Sequence, residues 1–236
     1  MTGASRFLIT CASTAERQAG PCRYPSGVIR DEGPSPAGEA ETAIATFVSG
    51  LPGSGRRVTL RLVSGSDQDE FLALAAASAG LHRPWMSLPA TPQEFQAYLR
   101  RFDHVTAQGL LVCLRETGTI AGMININSII RGRFQNGSLA YAAFAPTAGQ
   151  GYLSEGLGLV LRYAFGQLRL HRLEAQIQPG NHASRRLVQR AGFRNEGCSP
   201  GLLFIGGAWR DHERWAITSD MTGLASTAPH PSLPER

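Results

Sequence analysis

Apolar residues beyond position 56 follow two periods, and each period predicts a different kind of element. Residues 57–63 (RVTLRLV) are apolar at every second position, which predicts a β-strand. The stretch DQDEFLALAAASAG then predicts a helix with acidic residues in its first turn, for which Ser66 is the candidate N-cap. A second helix is predicted to run from Thr91 to about Phe102, because Thr91-Pro92-Gln93-Glu94 has the form of a capping box with proline at the first helical position.

The next stretch alternates again and predicts three strands. Residues 109–115 and 120–130 are expected to form an antiparallel pair, and residues 138–144 a further strand. In the second of these strands, Asn125 and Asn127 share a face opposite to the isoleucines. Two interpretations of that polar face stay open, since the asparagines could line a ligand cleft or form an ordinary polar side of the sheet.

Residues 138–192 show the clearest pattern of consecutive strands and helices. A strand is followed by a turn at residues 146–151 that contains Gly149 and Gly151, and then by a helical stripe: Leu153, Leu157, Leu161, Phe165 and Leu168. Residues 173–178 predict another strand, and a second helix opens at Asn181. Residues 193–206 and 208–218 are expected to form a final strand pair with its turn at Gly206-Gly207.

Together these elements predict an α/β (α+β) fold, with a mixed, largely antiparallel, twisted sheet flanked by helices. The folded domain is expected over residues 56–221. Residues 1–55 are rich in Gly, Ser, Ala, Thr and Pro without sustained periodicity, so they are expected to be a disordered extension. Residues 222–236 are expected to be a disordered tail.

A glycine-containing turn that leads into a helix can bind an anion. The free N–H groups at a helix N-terminus and the positive end of its dipole attract phosphate, and glycine lets the anion approach the backbone. Taken alone, the turn at residues 146–151 fits a tight strand-to-helix connection equally well.

The whole run resembles the GCN5-related N-acetyltransferase (GNAT) superfamily, and within it the RimJ/RimL-like protein N-terminal acetyltransferases. Ala148-Gly149-Gln150-Gly151-Tyr152-Leu153 occupies the position of the acyl-CoA pyrophosphate loop of that superfamily. The resemblance covers about residues 57–220 and continues through these segments: Ser154-Glu155-Gly156-Leu157, Leu170-His171-Arg172-Leu173-Glu174-Ala175, Pro179, Asn181, Ser184, Ala191-Gly192-Phe193, Glu196-Gly197 and Trp209-Arg210-Asp211-His212. The chain departs from the pattern at Ala148, usually Gln or Arg, and at Leu153, usually a small residue.

The resemblance implies acetyl-CoA as co-substrate and assigns roles to individual residues. It implies that the backbone of residues 149–153 (Gly149, Gln150, Gly151, Tyr152, Leu153) binds the pyrophosphate, and that the strand end at Phe144 and Ala145 pairs with the pantetheine arm. Asn181 would bind pantetheine and Ser184 would assist the departing thiolate; their alternatives are a helix cap and a surface hydroxyl. Glu174 is the candidate general base, or else the partner of a structural ion pair with Arg172 or Arg185.

Charge and composition limit the classes of ligand and partner that the chain is expected to bind. The net charge is +5 and every one of the 23 basic residues is arginine. Six of them fall between Arg169 and Arg194 against a single acid, a cluster that suits the phosphates of CoA. Stacking aromatics and a groove-reading helix are missing from that cluster, so a nucleic-acid partner is not expected. The four cysteines have no metal-ligand spacing, so no metal is expected, and a reducing cytoplasm is the expected location.

The prediction is therefore an acetyl-CoA-dependent N-acetyltransferase that acts on a primary amine, without a membrane partner, as a monomer or homodimer. The favoured acceptor is a protein N-terminal α-amino group, with a ribosomal protein as the family precedent. The alternatives are a GNAT enzyme for a small amine, such as an amino acid or antibiotic, and a weakly active CoA-binding module.

Overall fold

The computed structural model describes residues 55–224. Most of the predicted N-terminal extension (1–55) and C-terminal tail (222–236) lies outside the described residues, so those two predictions stay predictions. Leu224, at the end of the described part, packs against the main core.

One sheet of seven strands organises the described part of the chain. In the order β1-β2-β3-β4-β5-β7-β6, its strands are β1 (Val58–Leu62), β2 (Gln108–Leu114), β3 (Ile120–Ile130), β4 (Asn136–Ala143), β5 (Arg172–Ile177), β6 (Arg194–Ile205) and β7 (Ala208–Thr218). Every neighbouring pair is antiparallel except β4 and β5, which are parallel. The predicted mixed, largely antiparallel sheet is thus confirmed.

Helices cover both faces of this sheet. On one face lie α1 (Gln68–Ala77), α2 (Ala79–His82) and α3 (Pro92–Leu99), and on the other lie α4 (Tyr152–Arg162) and α5 (His182–Arg190). Two separate apolar clusters result. The larger one packs α4 and α5 against alternate residues of the central strands, and the smaller one packs α1 and α3 against the residues between them.

Capping residues were predicted for α1 and α3, and the structure agrees with one of the two predictions. Thr91 caps α3 as predicted, since its hydroxyl accepts a hydrogen bond from Glu94 N at 3.2 Å. Ser66 was predicted to cap α1, but it lies inside a 3-10 turn (Gly65–Asp67) that precedes the helix. Ser64 opens that turn, and its N–H donates to the Asp67 carboxylate at 2.8 Å. Asp67 also receives two hydrogen bonds from Arg61, which tie the turn to β1.

The most important local feature is that β4 and β5 separate. Their pairing extends from Asn136–Arg172 to Leu139–Ala175 and stops there, although β4 continues to Ala143. The other edge of β4 stays paired with β3 up to Ala143. The last residues of β4 therefore have one edge bonded into the sheet and one edge open toward the start of α4 and α5.

Candidate active site

The glycine turn between β4 and α4 presents a row of free backbone donors. Gly149 and Gly151 have φ of 77° and 83°, values that L-residues with a side chain rarely adopt. The first hydrogen bond of α4 runs from Glu155 N to Gly151 O at 3.1 Å. Within the described part of the chain, the amides of residues 149–154 donate to no protein acceptor. Together with the α4 dipole, they form an arrangement suited to a phosphate group.

Arg57, the residue just before β1, holds this loop in place. The Arg57 side chain donates to the Gln150 carbonyl at 3.1 Å, lies 4.7 Å from the centre of the Tyr152 ring and pairs with Glu155 at 3.1 Å. Glu155 in turn accepts from the Arg57 backbone N–H. Burial would raise the pKa of Glu155, but these hydrogen bonds outweigh it and hold the pKa below its ordinary value. The loop is thus held in place by a group that stays ionised at neutral pH.

The open edge of β4 differs in register from the prediction. Phe144 N donates to Ala121 O, and Ala145 N donates to the Ser78 hydroxyl at 2.8 Å, so both predicted donors already have partners. Neither residue lines the cavity described below. Because successive backbone groups in a strand point to opposite edges, Tyr141 and Ala143 direct their N–H groups into the opening instead.

Two polar side chains, one in helix α2 and one just before it, hold the end of β4 in place. His82 is 7% exposed and its Nε2 donates to the Ala143 carbonyl at 2.8 Å. Nε2 must be the protonated nitrogen, because a carbonyl oxygen can only accept. Ser78, four residues earlier, is 1% exposed and holds Ala145. These two buried polar side chains fix the backbone around Ala143, and neither of them was among the predicted catalytic or cofactor-binding residues.

The start of α5 lies across the opening from β4. Asn181 caps α5, with its Oδ1 accepting from Ser184 N at 3.1 Å, so the alternative that it is a helix cap is confirmed. Asn181 and Ser184 also line the cavity, which leaves their predicted ligand roles as proposals. The buried Tyr141 hydroxyl lies next to Ser184, but it makes no hydrogen bond of ordinary geometry within the described residues. Burial raises the pKa of Tyr141 to about 12, so this hydroxyl keeps its proton at neutral pH.

These elements enclose the main cavity, a space of about 410 Å³. It is bounded by the glycine loop, the end of β4, the start of α5 and the segment from Leu81 to Met86. Arg186 and Arg190 of α5 line it, and its lining contains no acidic residue. A cavity with free amides, two arginines and no carboxylate is matched to an elongated phosphorylated molecule.

A second space, the side cavity of about 360 Å³, lies beside it on the α3 face of the sheet. Its lining consists of Met86, Ser87, Leu88, Pro89, Glu94, Ala97, Tyr98, Arg101, Met123, Asn125 and Ala140. Asn125 thus lines a cavity, in line with the first of the two interpretations that the sequence left open, whereas Asn127 lines neither cavity. The side cavity has one acid and one base, so it carries little net charge.

Glu174 lies apart from both cavities. Its carboxylate pairs with Arg172 at 2.8 Å and accepts further hydrogen bonds from the side chains of Asn136 and Gln176. The ion pair with Arg172, one of the alternatives considered from the sequence, is confirmed. Arg172 also pairs with Glu196, whereas Arg185 pairs with Glu213.

Residues 55–224 hold no group of three or more His, Cys, Asp or Glu side chains that could bind a metal ion. Within the same residues, no helix combines the length and apolar character needed to cross a membrane.

Known proteins resemble this chain in sequence. A probable N-acetyltransferase of Bacillus subtilis, YjcK, is 38% identical over 98 residues, which is 42% of this chain and about half of that protein, 54%. The [ribosomal protein uS5]-alanine N-acetyltransferase of Escherichia coli is 29% identical over 171 residues, covering 69% of this chain and 88% of that protein.

Solved structures share the fold. RimJ of Mycobacterium smegmatis in complex with CoA-disulfide is 25% identical with a TM-score of 0.64, covering 69% of this chain and 82% of that one. Spermidine N-acetyltransferase of Vibrio cholerae with CoA and spermine is 18% identical with a TM-score of 0.62, covering 71% and 98%. These matches confirm the predicted GNAT fold.

The family model described as acetyltransferase (GNAT) domain matches residues 57–194, more than half of the chain. The free amides of the glycine loop, the arginines of α5 and the open edge of β4 fit the co-substrate that this family uses. The chain therefore belongs to the GNAT family, as a RimJ-like N-acetyltransferase that uses acetyl-CoA.

Proposed function

We propose that this enzyme transfers the acetyl group to the α-amino group of a polypeptide N-terminus. The observation that carries the proposal is the charge of the two cavities. Across both linings, which belong to the described residues, Glu94 is the sole acid, and Arg101 in the same cavity offsets it. A polyamine carries several positive charges and needs carboxylates to replace its hydration, whereas one neutral α-amine on an uncharged chain does not.

Proton chemistry supports the same acceptor. An α-amino group has a pKa of about 7.7–8.0 and lysine about 10.4, so at neutral pH a useful fraction of an N-terminus is already neutral. Such an acceptor needs little help from a strong base. Glu174, the base candidate from the sequence, has its carboxylate occupied by an ion pair and hydrogen bonds, so we assign proton removal to solvent that reaches the opening.

We assign donor binding to the backbone of the glycine loop. In this proposal the amides of Gly149, Gln150, Gly151, Tyr152 and Leu153 hold the pyrophosphate, and Arg186 and Arg190, which line the same cavity, add positive charge. Asn181 and the open edge of β4 at Tyr141 and Ala143 hold the pantetheine arm. The family assignment to Phe144 and Ala145 thus moves to the residues whose N–H groups face the cavity.

Besides the groups that bind the co-substrate, the reaction needs hydrogen-bond donors for the acyl oxygen and for the departing thiolate. As the amine nitrogen bonds to the acyl carbon, negative charge develops on the acyl oxygen. We assign the stabilisation of that oxygen to a hydrogen bond donated by the fixed Ala143 N–H. The carbon–sulfur bond then breaks, and the thiolate needs a hydrogen bond or a proton. Ser184, beside the protonated Tyr141, is the side chain that we assign to that step.

Release of the CoA thiol tests the proposal. Purified protein would be assayed with acetyl-CoA against α-amino peptides, peptides whose lysine is the sole free amine, and spermidine. We expect turnover with the α-amino peptides well above that with the other two classes. Preferential turnover of spermidine would contradict the proposal and favour a small-amine enzyme, and bound acetyl-CoA without any turnover would favour a CoA-binding module.

A further inference from the structure

The side cavity begins where the main cavity ends. Met86 lines both spaces. On β4, Ala142 lines the main cavity and Ala140 lines the side cavity, and residues two apart in a strand point to the same face. Their separation along the strand is about 6.6 Å, which is also the advance of two residues in an extended peptide. A chain whose amine lies near Ala142 and Ala143 therefore reaches the side cavity with its second and third residues.

The walls of the side cavity are mostly apolar, with one oriented polar group at the base. Asn125 is 2% exposed, and its Oδ1 accepts from the Tyr98 hydroxyl at 2.9 Å. Burial raises the pKa of Tyr98 to about 12, so Tyr98 remains the donor at neutral pH. This fixes the Asn125 amide. Within the described residues its nitrogen donates to no protein acceptor, so it can donate to a carbonyl oxygen in the cavity.

The two charged residues of the lining are at its rim and do not favour a charged ligand. Glu94 accepts a hydrogen bond from Ala90 N at 2.7 Å, at the start of α3. Arg101 lies 3.5 Å from the side-chain oxygen of Asn127. A lysine or a glutamate entering the cavity would lose its hydration for at most one exposed partner, which is unfavourable.

From these observations we infer that the side cavity is a specificity subsite for the second and third residues of the acceptor polypeptide. It accepts uncharged, mainly apolar side chains, and the Asn125 amide donates to a carbonyl oxygen of the acceptor backbone. The inference rests on the proposed function, because it requires an α-amino acceptor with a chain attached. Such a subsite would let the enzyme distinguish among N-termini whose first residue is the same.

Ala97→Leu is the variant that tests this subsite. Ala97 lies on an exposed position of α3 and lines the side cavity, so leucine fills the cavity while its good helix propensity preserves the helix. Gln93→Leu is the matched control, because Gln93 is exposed on the same helix and lies outside both linings. The acceptors are alaninamide and tripeptide amides that begin with alanine and carry valine, leucine or glutamate at the second and third positions.

The wild-type protein should show kcat/KM for the apolar tripeptides about tenfold or more above alaninamide and above the glutamate peptide. Ala97→Leu should remove most of that advantage, about five- to tenfold, and leave alaninamide unchanged, whereas Gln93→Leu should match the wild type. The inference is wrong if Ala97→Leu and the wild type rank the tripeptides alike, or if alaninamide matches them. Absence of turnover with any α-amine in the wild type would instead contradict the proposed function.

Asn125→Asp provides a second variant. It keeps an acceptor for Tyr98 but replaces the amide donor with a carboxylate oxygen, so it should lower kcat/KM for the apolar tripeptides more than for alaninamide. Equal losses for all acceptors would assign Asn125 a structural role alone. Thermal midpoints of each variant identify any that fail to fold.

Discussion

The main cavity and the side cavity meet at β4 but are built from different parts of the protein. The donor region of the main cavity, defined by residues 147–154, presents mostly backbone amides. The side cavity presents side chains from α3, β3, β4 and the segment after α2. Backbone donors tolerate sequence change as long as the loop keeps its shape, whereas a wall of side chains changes with each substitution. The difference suggests that donor binding is robust and acceptor choice is adjustable.

The largest expected effect comes from changing the backbone of the donor region with Gly151→Ala. At φ of 83°, alanine costs about 1–2 kcal/mol. Its Cβ would lie 3.2 Å from the Arg57 guanidinium, so the side chain that supports the loop must shift, and we expect relief of the backbone strain to move the loop amides. We expect the Kd for CoA, measured by calorimetry, to rise at least about tenfold.

Gly132→Ala is the matched control for this change. Gly132 also has a positive φ, of 65°, but its added Cβ meets no atom within 4 Å and it lies outside the main cavity. Both variants should lose similar stability, and only Gly151→Ala should lose CoA affinity. An unchanged Kd in Gly151→Ala would show that loop geometry does not govern donor binding.

The next effect concerns the chemical step. Ser184→Ala keeps the backbone N–H that Asn181 caps but removes the hydroxyl beside Tyr141, so the helix start survives. We expect kcat to fall about tenfold while KM for acetyl-CoA changes little. Ser184→Thr, which restores a hydroxyl, should recover part of the rate. Full activity in Ser184→Ala would remove this residue from the proposed mechanism.

A smaller effect is expected from loosening the support of the loop with Arg57→Gln. The variant loses the guanidinium contacts to Gln150, Tyr152 and Glu155 but keeps the backbone hydrogen bond to Glu155. The Kd for CoA should therefore rise about three- to tenfold without altering the ranking of acceptors. Arg56→Gln, a change at the exposed neighbouring position, is the control and should behave as the wild type. A change in acceptor ranking in Arg57→Gln would break the separation between the two regions.

The pH dependence of the same contact has a definite sign. The pKa of Glu155 is depressed in the folded protein, so the ion pair with Arg57 is fully formed above the ordinary pKa of about 4.3. It is lost only when the pH falls through the lower folded value. CoA affinity should therefore be flat between pH 8 and 5 as far as this contact is concerned.

The smallest effect is expected at Ala148, where the chain departs from the family loop. Ala148 lines the main cavity, and Ala148→Gln would add a side-chain donor to a loop that already has six free amides. We expect the Kd for CoA to change by no more than about threefold. A larger gain would mean that side chains contribute more to donor binding than the comparison between the two regions implies.

The strands and long helices were predictable because their burial patterns are periodic. The helical stripe after Gly151 and the capping residue Thr91 lie where the pattern placed them, and the pairing of the final hairpin follows from its glycine turn. The cap of α1 was mispredicted because a 3-10 turn (Gly65–Asp67) precedes the helix, so that Ser64 opens the turn and Asp67, one residue after Ser66, is the N-cap of α1.

The opening in the sheet was harder to foresee in detail. The direction of each N–H group depends on the register between β3 and β4, and a shift of one residue moves a donor from one edge to the other. The family resemblance implied the strand end at Phe144 and Ala145, whereas the N–H group of Ala143 faces the opening in this chain. His82 and Ser78 act on β4 over more than 60 positions of sequence, and no local pattern reports such a pairing.

The separation of β4 from β5 also has a thermodynamic consequence. Where β4 and β5 separate, the two halves of the sheet share fewer hydrogen bonds. A molecule that binds in the opening adds contacts to both halves. By linkage, a ligand bound to the folded state alone adds about 2.7 kcal/mol to unfolding free energy at one hundred times its Kd. The melting temperature thus reports the fraction of the protein that has ligand bound in the opening, even in variants that have lost catalytic activity.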